Sequence, residues 1–423
     1  MEEKSDLNLS QILFKPQPNY IETSLISNSG AAIPDIVLKP YSGSGFHANW
    51  YRPLNRYMWS WMGGNPLDIE EALSNIACSE EKRSRENMFD TVSLYGPGNW
   101  IYEFASIAQK RILMAKKAIE DNKFELASHQ YRMASRYFAI AAYPNLKGDV
   151  LAAESSMYGR KAYREIFVNS KKCGYYSEEE FTVRGKKVIG YLHSPDNKDL
   201  HPCVVMLGAY DQTATDFFRI FNDELRPLGI AAFVVDMPGL GNSANLILDE
   251  NYSEIAENAI LHLKEKVKFI DSTKIGLFGL HLSAAAAVRL AVLRTDLVNG
   301  LVVLDPTVHN IFTNVNYLSG APLCLRSSIA NRLNADASNW DTLMPQLQIL
   351  SLKQQGLLSS SGKCPVNCCV AVSSSDKPLV EDAHAVADAF KNNEFVDFKE
   401  FSSDLSFSRA SALVGKFFKE QFT

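Results

Sequence analysis

The fold is decided by the stretch Ile275-Gly-Leu-Phe-Gly-Leu-His-Leu-Ser-Ala-Ala-Ala-Ala-Val-Arg-Leu290. Its first residues are apolar, as expected of a strand that is buried on both faces of a sheet. The chain then turns directly after Gly279 and continues as a run of alanines, which favour a helix. A strand that passes through a sharp turn into a helix places the residue at the apex, His281, at the edge of the predicted sheet.

Apolar segments on both sides of this stretch alternate with helical segments. Strands are predicted near 203–207, 230–236, 274–278, 301–305, 367–372 and 396–401, and helices near 216–228, 253–267, 381–391 and 409–422. A hairpin over 179–193 precedes them, and residues 310–360 form a helical insertion. Such alternation specifies an α/β fold with a parallel sheet covered by helices on both faces. Ligands of such sheets bind at the carboxyl ends of the strands, so the turn at His281 points toward the predicted site.

The N-terminal part of the chain has a different pattern. Residues 1–45 carry several prolines and a Ser/Gly cluster, which predicts an extended arm. Apolar residues at helical spacing predict helices near 100–121, 124–141 and 149–169. The sequence therefore predicts an N-terminal arm and helical cap domain over 1–175, followed by a core domain over 176–423.

Composition restricts the classes of function. The chain has 423 residues, a formal net charge of −5 and a hydrophobic content of 46%, and no basic run indicates nucleic-acid binding. The seven cysteines are scattered, no cluster has metal-ligand spacing, and Gly239-x-Gly241 lacks the third glycine of a dinucleotide site. The N-terminus is polar, and no apolar segment reaches the roughly 18 residues that span a bilayer. The sequence predicts a cytoplasmic protein without metal, cofactor or membrane contact.

The turn after Gly279 corresponds to the nucleophile elbow of α/β-hydrolases, Gly-x-Ser-x-Gly. Its five positions are Gly279, Leu280, His281, Leu282 and Ser283, so a histidine stands where the serine is required. Two interpretations of His281 are open: a proton shuttle or ligand-binding group, or the remnant of a lost nucleophile site. Ser283 is interpreted as a small packing residue of the helix.

The other two members of a hydrolase triad follow later strands. Asp376 stands where the carboxylate is expected, with Asp382 in reserve, although Asp376 equally fits an N-terminal cap of the next helix. The imidazole is missing: the last histidine is His384, before the final strand, and the loop 401–407 contains none. The usual relay of nucleophile, base and acid cannot be assembled from this sequence.

Further candidates line the expected pocket. The loop that begins with Gly208 and Ala209 could bring backbone N–H groups to a ligand oxygen, and Asp211 in the same loop would oppose an anionic substrate. Two more predicted site residues are Leu282, beside the apex, and Asp236, in a turn that shapes the pocket. Asp305 and His309, at the end of another strand, form a second candidate acid/base pair.

Longer segments of the chain carry a resemblance. They are Asn8-Leu-Ser-Gln-Ile-Leu-Phe-Lys-Pro16, Trp50-Tyr-Arg52, Asn55-Arg-Tyr-Met-Trp59, Gly98-Asn-Trp-Ile-Tyr-Glu103, Ala141-Ala-Tyr-Pro-Asn-Leu-Lys-Gly-Asp149, Asp236-Met-Pro238, Ala287-Val-Arg-Leu-Ala291, His309 and Ser351-Leu-Lys-Gln-Gln-Gly-Leu357. They resemble the FrsA family, the fermentation–respiration switch proteins of γ-proteobacteria. The resemblance implies a helical region joined to an α/β-hydrolase core, and a carboxylesterase label. It also implies a partner, the unphosphorylated glucose-specific IIA component of the phosphotransferase system. The family's elbow is similar to Gly-x-Arg-x-Gly, so His281 departs from it at the arginine.

Two functions are hypotheses at this point. The first is a ligand-binding, regulatory protein of carbon metabolism that binds a small acyl or carbonyl compound. The second is an enzyme that uses His281 and His309 for acid/base chemistry on an acyl or polyketide-like substrate, with hydrolysis, C–C cleavage or cyclisation as its reaction. Self-association as a homodimer is left open.

Overall fold

The computed structural model describes residues 45–315, 320–335, 340–358, 362–373, 376–398 and 403–423. The N-terminal arm predicted over 1–45 lies outside these ranges except for its last residue.

Helices form the first part of the described chain. Their bounds are α1 (Arg56–Trp61), α2 (Pro66–Ala77), α3 (Trp100–Glu120), α4 (Phe124–Ala142) and α5 (Val150–Asn169). The side chains of Asn65, Asn99 and Asp149 accept hydrogen bonds from first-turn amides of α2, α3 and α5, which fixes where these helices begin. The three helices predicted from periodicity are confirmed.

A mostly parallel sheet follows the helices. Its strands are β1 (Tyr175–Val183), β2 (Lys186–Ser194), β3 (His201–Leu207), β4 (Ala231–Val235), β5 (Ile270–Leu280), β6 (Gly300–Leu304), β7 (Asn367–Val372) and β8 (Asn393–Asp397). Within the described residues they lie in the order β1-β2-β4-β3-β5-β6-β7-β8. The pairings of β1 with β2 and of β2 with β4 are antiparallel, and the remaining strands pair in parallel. This is the α/β-hydrolase fold that the sequence predicts. The domain boundary predicted at residue 175 coincides with the start of β1, and the division into two domains stays a prediction.

Helices cover both faces of the sheet. The helices after β4 are α6 (Glu254–Lys266), α7 (Leu282–Leu293), α8 (Asn310–Thr313), α9 (Leu323–Arg332), α10 (Trp340–Gln348), α11 (Lys377–Ala389) and α12 (Ser403–Phe422). One apolar cluster joins α6, α7 and α11 to the sheet, and a second joins α12, α4 and α5 to its opposite face. No helix in the described residues is both long and apolar enough to cross a membrane.

Some predicted bounds are wrong. The segment predicted as a helix over 216–228 consists of a 3-10 turn, a π-helical stretch and another 3-10 turn. Pro227 lies in the last of these turns, where it lacks the N–H that a continuing α-helix would need. The helix predicted over 381–391 begins at Lys377, and α12 begins six residues earlier than predicted. The last strand is β8 rather than 396–401, and the end of that predicted range lies outside the described residues.

Candidate functional site

His281 lies at the apex of the turn between β5 and α7. Its backbone has φ 50° and ψ −121°, a strained conformation that persists only where surrounding contacts hold it. Its N–H donates to the carbonyl oxygen of Leu304 at 3.0 Å, and its own carbonyl accepts the N–H of Thr307 at 3.1 Å. A Cβ at Gly279 would lie 2.7 Å from a backbone oxygen of the following helical turn. The elbow geometry of the fold is therefore present, with an imidazole at the nucleophile position.

The hydroxyl of Ser283 stabilises the elbow. The N–H of Leu280 donates to Ser283 Oγ at 2.9 Å. The same oxygen lies 2.8 Å from the carbonyl oxygen of Leu207 and 2.9 Å from that of Leu280, and can donate to either. The side chain is fully buried. These bonds engage the proton and one lone pair of Ser283 with the backbone of the elbow.

Asp211 is the acidic neighbour of His281. Leu207 and Gly279 are paired in the adjacent strands β3 and β5, so the loops that follow these strands lie side by side. The phenol of Tyr143, from the end of α4, donates to Asp211 Oδ2 at 2.8 Å. Burial raises the pKa of Asp211, while the Tyr143 hydrogen bond and the charge of His281 lower it. Among the described residues no side chain forms a hydrogen bond to the imidazole of His281.

Arg332 joins the helical region to the loop of Asp211. Its guanidinium donates to the carbonyl oxygens of Pro144 at 2.6 Å, Asn145 at 2.9 Å and Tyr210 at 3.1 Å. The side chain is buried, and burial lowers its pKa to about 10, so it stays charged at neutral pH. Pro144 follows Tyr143 and Tyr210 precedes Asp211. The Arg332 guanidinium therefore binds the backbone next to both members of the Tyr143–Asp211 pair.

Sequence reasoning missed both Tyr143 and Arg332. A single arginine in an irregular insertion carries no periodicity or motif, and its three backbone acceptors lie in distant parts of the chain. One signal was available: Tyr143 lies in the segment Ala141–Asp149, where the helical pattern breaks and the family resemblance is strong. Loops that carry polar aromatic residues often contribute contacts to a functional site.

Gly208 and Ala209 form the start of the loop predicted to hold an oxyanion. A Cβ at Gly208 would lie 2.3 Å from the carbonyl oxygen of Gln212, so its missing side chain makes room for the loop's own backbone. Both residues are buried. On the other side of the elbow, Leu282 is the first residue of α7, and its N–H has no intrahelical acceptor. In this fold the N–H that follows the nucleophile position is an oxyanion donor, which makes the Leu282 amide the better placed donor.

Asp236 follows β4 and holds two loops together. Its carboxylate accepts the N–H of Ala214 at 2.7 Å and the N–H of Asn242 at 2.7 Å. Only 2% of its surface is exposed, and burial raises its pKa to about 6 against these two hydrogen bonds. Asp236 therefore holds the two loops together through their backbone amides, and its role in shaping a pocket stays a prediction.

Asp305 and Asp376 lie near each other at the ends of β6 and β7. Asp305 has φ 45°, and its carboxylate accepts the N–H of Ser373 at 2.7 Å and also the Ser373 hydroxyl. Asp376 immediately precedes α11, but its side chain makes no capping hydrogen bond to that helix. Burial and the neighbouring Asp305 carboxylate raise the pKa of Asp376.

His309 forms a pair with Ser351. Its Nδ1 lies 2.8 Å from Ser351 Oγ, and that serine is fully buried. Asp382 accepts the backbone N–H groups of Val308 and His309, at 2.8 and 2.9 Å. A triad instead needs an imidazole between an exposed serine and a carboxylate. The structure thus places the His309 ring on Ser351, whereas the acid predicted as its partner, Asp305, bonds to Ser373.

Two sequence predictions concern residues that are only partly described. In the loop 401–407, where the triad histidine is missing, residues 401 and 402 lie outside the described residues and the remainder begins α12. Ser374 and Ser375, before Asp376, also lie outside them. Among the residues that are described, no group of three or more His, Cys, Asp and Glu side chains could hold a metal ion.

A family model described as esterase FrsA-like matches residues 4–419. The chain belongs to the FrsA-like esterase family. Among its relatives, Esterase FrsA of Klebsiella pneumoniae subsp. pneumoniae is 34% identical over 363 residues, which is 85% of this chain and 86% of the relative. Esterase FrsA of Photorhabdus laumondii subsp. laumondii is 34% identical over 365 residues, with the same coverage.

Solved structures similar to this FrsA-like chain have the same fold. The 2,6-dihydroxy-pseudo-oxynicotine hydrolase superposes with a TM-score of 0.68 at 17% identity, over 86% of this chain and 95% of that one. The protein AbyA5 superposes with a TM-score of 0.62 at 14% identity, over 84% and 95%. At these identities the similarity concerns the fold, including the helical region joined to the hydrolase core.

Proposed function

We propose that this FrsA-family protein binds a small acyl or carbonyl compound above the elbow and acts as a regulatory protein of carbon metabolism. The observation that carries the proposal is the composition of the elbow. His281 occupies the nucleophile position, and the hydroxyl of Ser283 is engaged by the backbone. The sequence also has no histidine after His384. An attacking serine and the imidazole that would activate it are both missing, so acyl-serine turnover has no route.

The same residues suit the binding of an oxygen-bearing ligand. A carbonyl or carboxylate oxygen above the elbow would accept the free N–H of Leu282 and a ring N–H of His281. Asp211 lies on one side, where its raised pKa allows it to donate a hydrogen bond when protonated. Preorganised donors of this kind bind a partly negative oxygen without the need for a nucleophile.

The protein partner that the family resemblance implies is the glucose-specific IIA component of the phosphotransferase system. We place its contact on the helical region, because that region is the part added to the hydrolase core. Isothermal titration of the unphosphorylated IIA component into the full chain is expected to give a measurable Kd. Heat of dilution alone, at protein concentrations of about 100 μM, would exclude this partner.

The ligand-binding proposal is tested with a serine-directed fluorophosphonate, a panel of p-nitrophenyl esters, and calorimetry with short acyl and 2-oxo acids. We expect no labelling, no ester turnover above background, and binding that His281→Ala weakens by about tenfold or more. His309→Gln is the matched control, because the His309 ring is hydrogen-bonded to Ser351. Efficient ester turnover that is lost in His281→Ala would overturn the proposal.

A second candidate function is supported by the position of Asp211. A carboxyl with a raised pKa beside an imidazole is an arrangement that can move a proton. In this candidate His281 acts as acid or base on an acyl or polyketide-like substrate, with Asp211 as its proton partner in place of His309. A pH–rate profile that His281→Gln and Asp211→Asn both leave unchanged would exclude it.

A further inference from the structure

Helix α5 has an exposed stripe in which apolar and charged side chains alternate. Its members are Val150, Leu151, Glu154, Met157, Tyr158, Lys161 and Val168, and all are exposed. Val150 is 77% exposed and Val168 70%. At 3.6 residues per turn these positions fall within an arc of roughly 120°. We call this set the α5 stripe. Exposed apolar side chains gathered on one helix face are typical of a contact surface.

Within the part of the chain that the structure describes, the charges of the α5 stripe have no ion-pair partner. Glu154 and Lys161 are two turns apart, about 10 Å along the helix axis, which is too far for a direct pair. Within the described residues neither forms a salt bridge. Lys161 instead lies over the ring of Tyr158, 5.4 Å from its centroid. By contrast, Arg164 at the border of the stripe is paired with Glu178 at 2.9 Å.

The charge pattern of the stripe is complementary to itself. Glu154 stands three residues before Met157, and Lys161 stands three residues after Tyr158. If two copies of the helix pack antiparallel about a twofold axis between Met157 and Tyr158, Glu154 of each copy faces Lys161 of the other. A twofold contact makes the pair twice, and it brings the apolar residues of both copies together at the centre.

We propose that the α5 stripe binds a second copy of this chain, as an antiparallel pair of α5 helices around a twofold axis. The surface is separate from the elbow, so the proposal does not depend on what the elbow binds. A single pair of 20-residue helices buries less than the roughly 1,600 Å² of a standard stable interface. The dimer is therefore expected to be weak, with a Kd of roughly micromolar or above.

The test is the oligomeric state of the full chain, measured by sedimentation equilibrium from about 1 to 500 μM. Glu154→Lys and Lys161→Glu each create like charges at both contacts, and each is expected to weaken the dimer about tenfold or more. The double variant restores both pairs and is expected to restore the wild-type Kd. An equimolar mixture of the two single variants is expected to form a heterodimer, because the lysine introduced in one faces the glutamate introduced in the other.

Lys116→Glu and Glu120→Lys on α3 are the matched controls, because they change net charge equally on another exposed helix face. Circular dichroism verifies that each variant is folded. The proposal is overturned if the wild-type chain stays monomeric over the whole range. It is also overturned if the single variants dimerise like wild type, or if the double variant does not recover. Loss of IIA binding in the single variants of a monomeric chain would instead assign the stripe to that partner.

Discussion

Two aspartates at the carboxyl ends of adjacent strands, Asp236 after β4 and Asp211 after β3, have different kinds of partner. Both carboxylate oxygens of Asp236 accept hydrogen bonds from backbone N–H groups, one from Ala214 and one from Asn242. Asp211 accepts a phenol from the helical region and lies beside an imidazole at the elbow. Burial is the main cause that raises the pKa of each group.

The difference teaches how to separate structural acids from acids of the site in this fold. A carboxylate whose partners are backbone amides of neighbouring loops holds those loops in place. A ligand that bound this carboxylate would break those hydrogen bonds and disrupt the loops. A carboxylate whose partners are side chains from two different parts of the chain can exchange a partner for a ligand at less cost. By this criterion Asp211 belongs to the site and Asp236 to its support.

The largest effect is expected from Asp236→Ala. The substitution removes the acceptor of the buried Ala214 amide and of the partly buried Asn242 amide, and each loss costs about 1–3 kcal/mol when the group is shielded from water. We therefore expect the free energy of unfolding in urea at pH 7 to fall by about 3 kcal/mol. Asp211→Ala is the matched control, because one hydrogen bond reaches Asp211, from the Tyr143 phenol, whereas two reach Asp236. Its loss is expected to be about 1 kcal/mol. A larger loss for Asp211→Ala would reverse the assignment of the two residues.

The pH dependence of stability should show the same contrast. Burial raises the pKa of Asp236 from 3.8 to about 6 in the folded protein, so the folded state binds this proton more tightly than the unfolded state. The resulting stabilisation is fully present below pH 4 and is lost as the pH rises through 6. The difference in unfolding free energy between wild type and Asp236→Ala should thus decrease by roughly 1 to 3 kcal/mol from pH 4 to pH 7. A constant difference over this range would show that Asp236 is ionised throughout.

The fold could be predicted from the sequence because its signals are local. The strand, turn and alanine-rich helix around His281 lie within one short stretch, and apolar runs mark the parallel strands. The position of His281 at the apex could also be predicted from the sequence, since the elbow motif defines which of its five positions lies at the apex of the turn. The segment 216–228 was predicted less well, because a proline and a glycine near its end change the type of helix without changing the apolar pattern.

The environment of the site could not be predicted in the same way. Tyr143 and Arg332 reach the loop of Asp211 from sequence distances of 68 and 122 residues, and no local pattern reports such contacts. Gly208 shows a second limit, because a glycine after a strand permits close approach of any group. The sequence predicted that the group approaching Gly208 is a ligand oxygen. In the structure the carbonyl oxygen of Gln212 occupies the space beside Gly208.

The smallest effect, and the most specific, is expected from Tyr143→Phe. The phenol hydrogen bond lowers the pKa of Asp211, so its removal should raise that pKa further. It should also reduce the unfolding free energy by about 1 kcal/mol. Tyr252→Phe is the matched control, because its phenol donates to the carbonyl oxygen of Leu350, in a buried part of the core. A carboxyl carbon titration followed by NMR should show the Asp211 shift in Tyr143→Phe and not in Tyr252→Phe. If both variants lose similar stability but neither moves Asp211, the helical region only packs against the elbow loops. A shift confined to Tyr143→Phe would mean that the helical region controls the protonation of the acid beside His281.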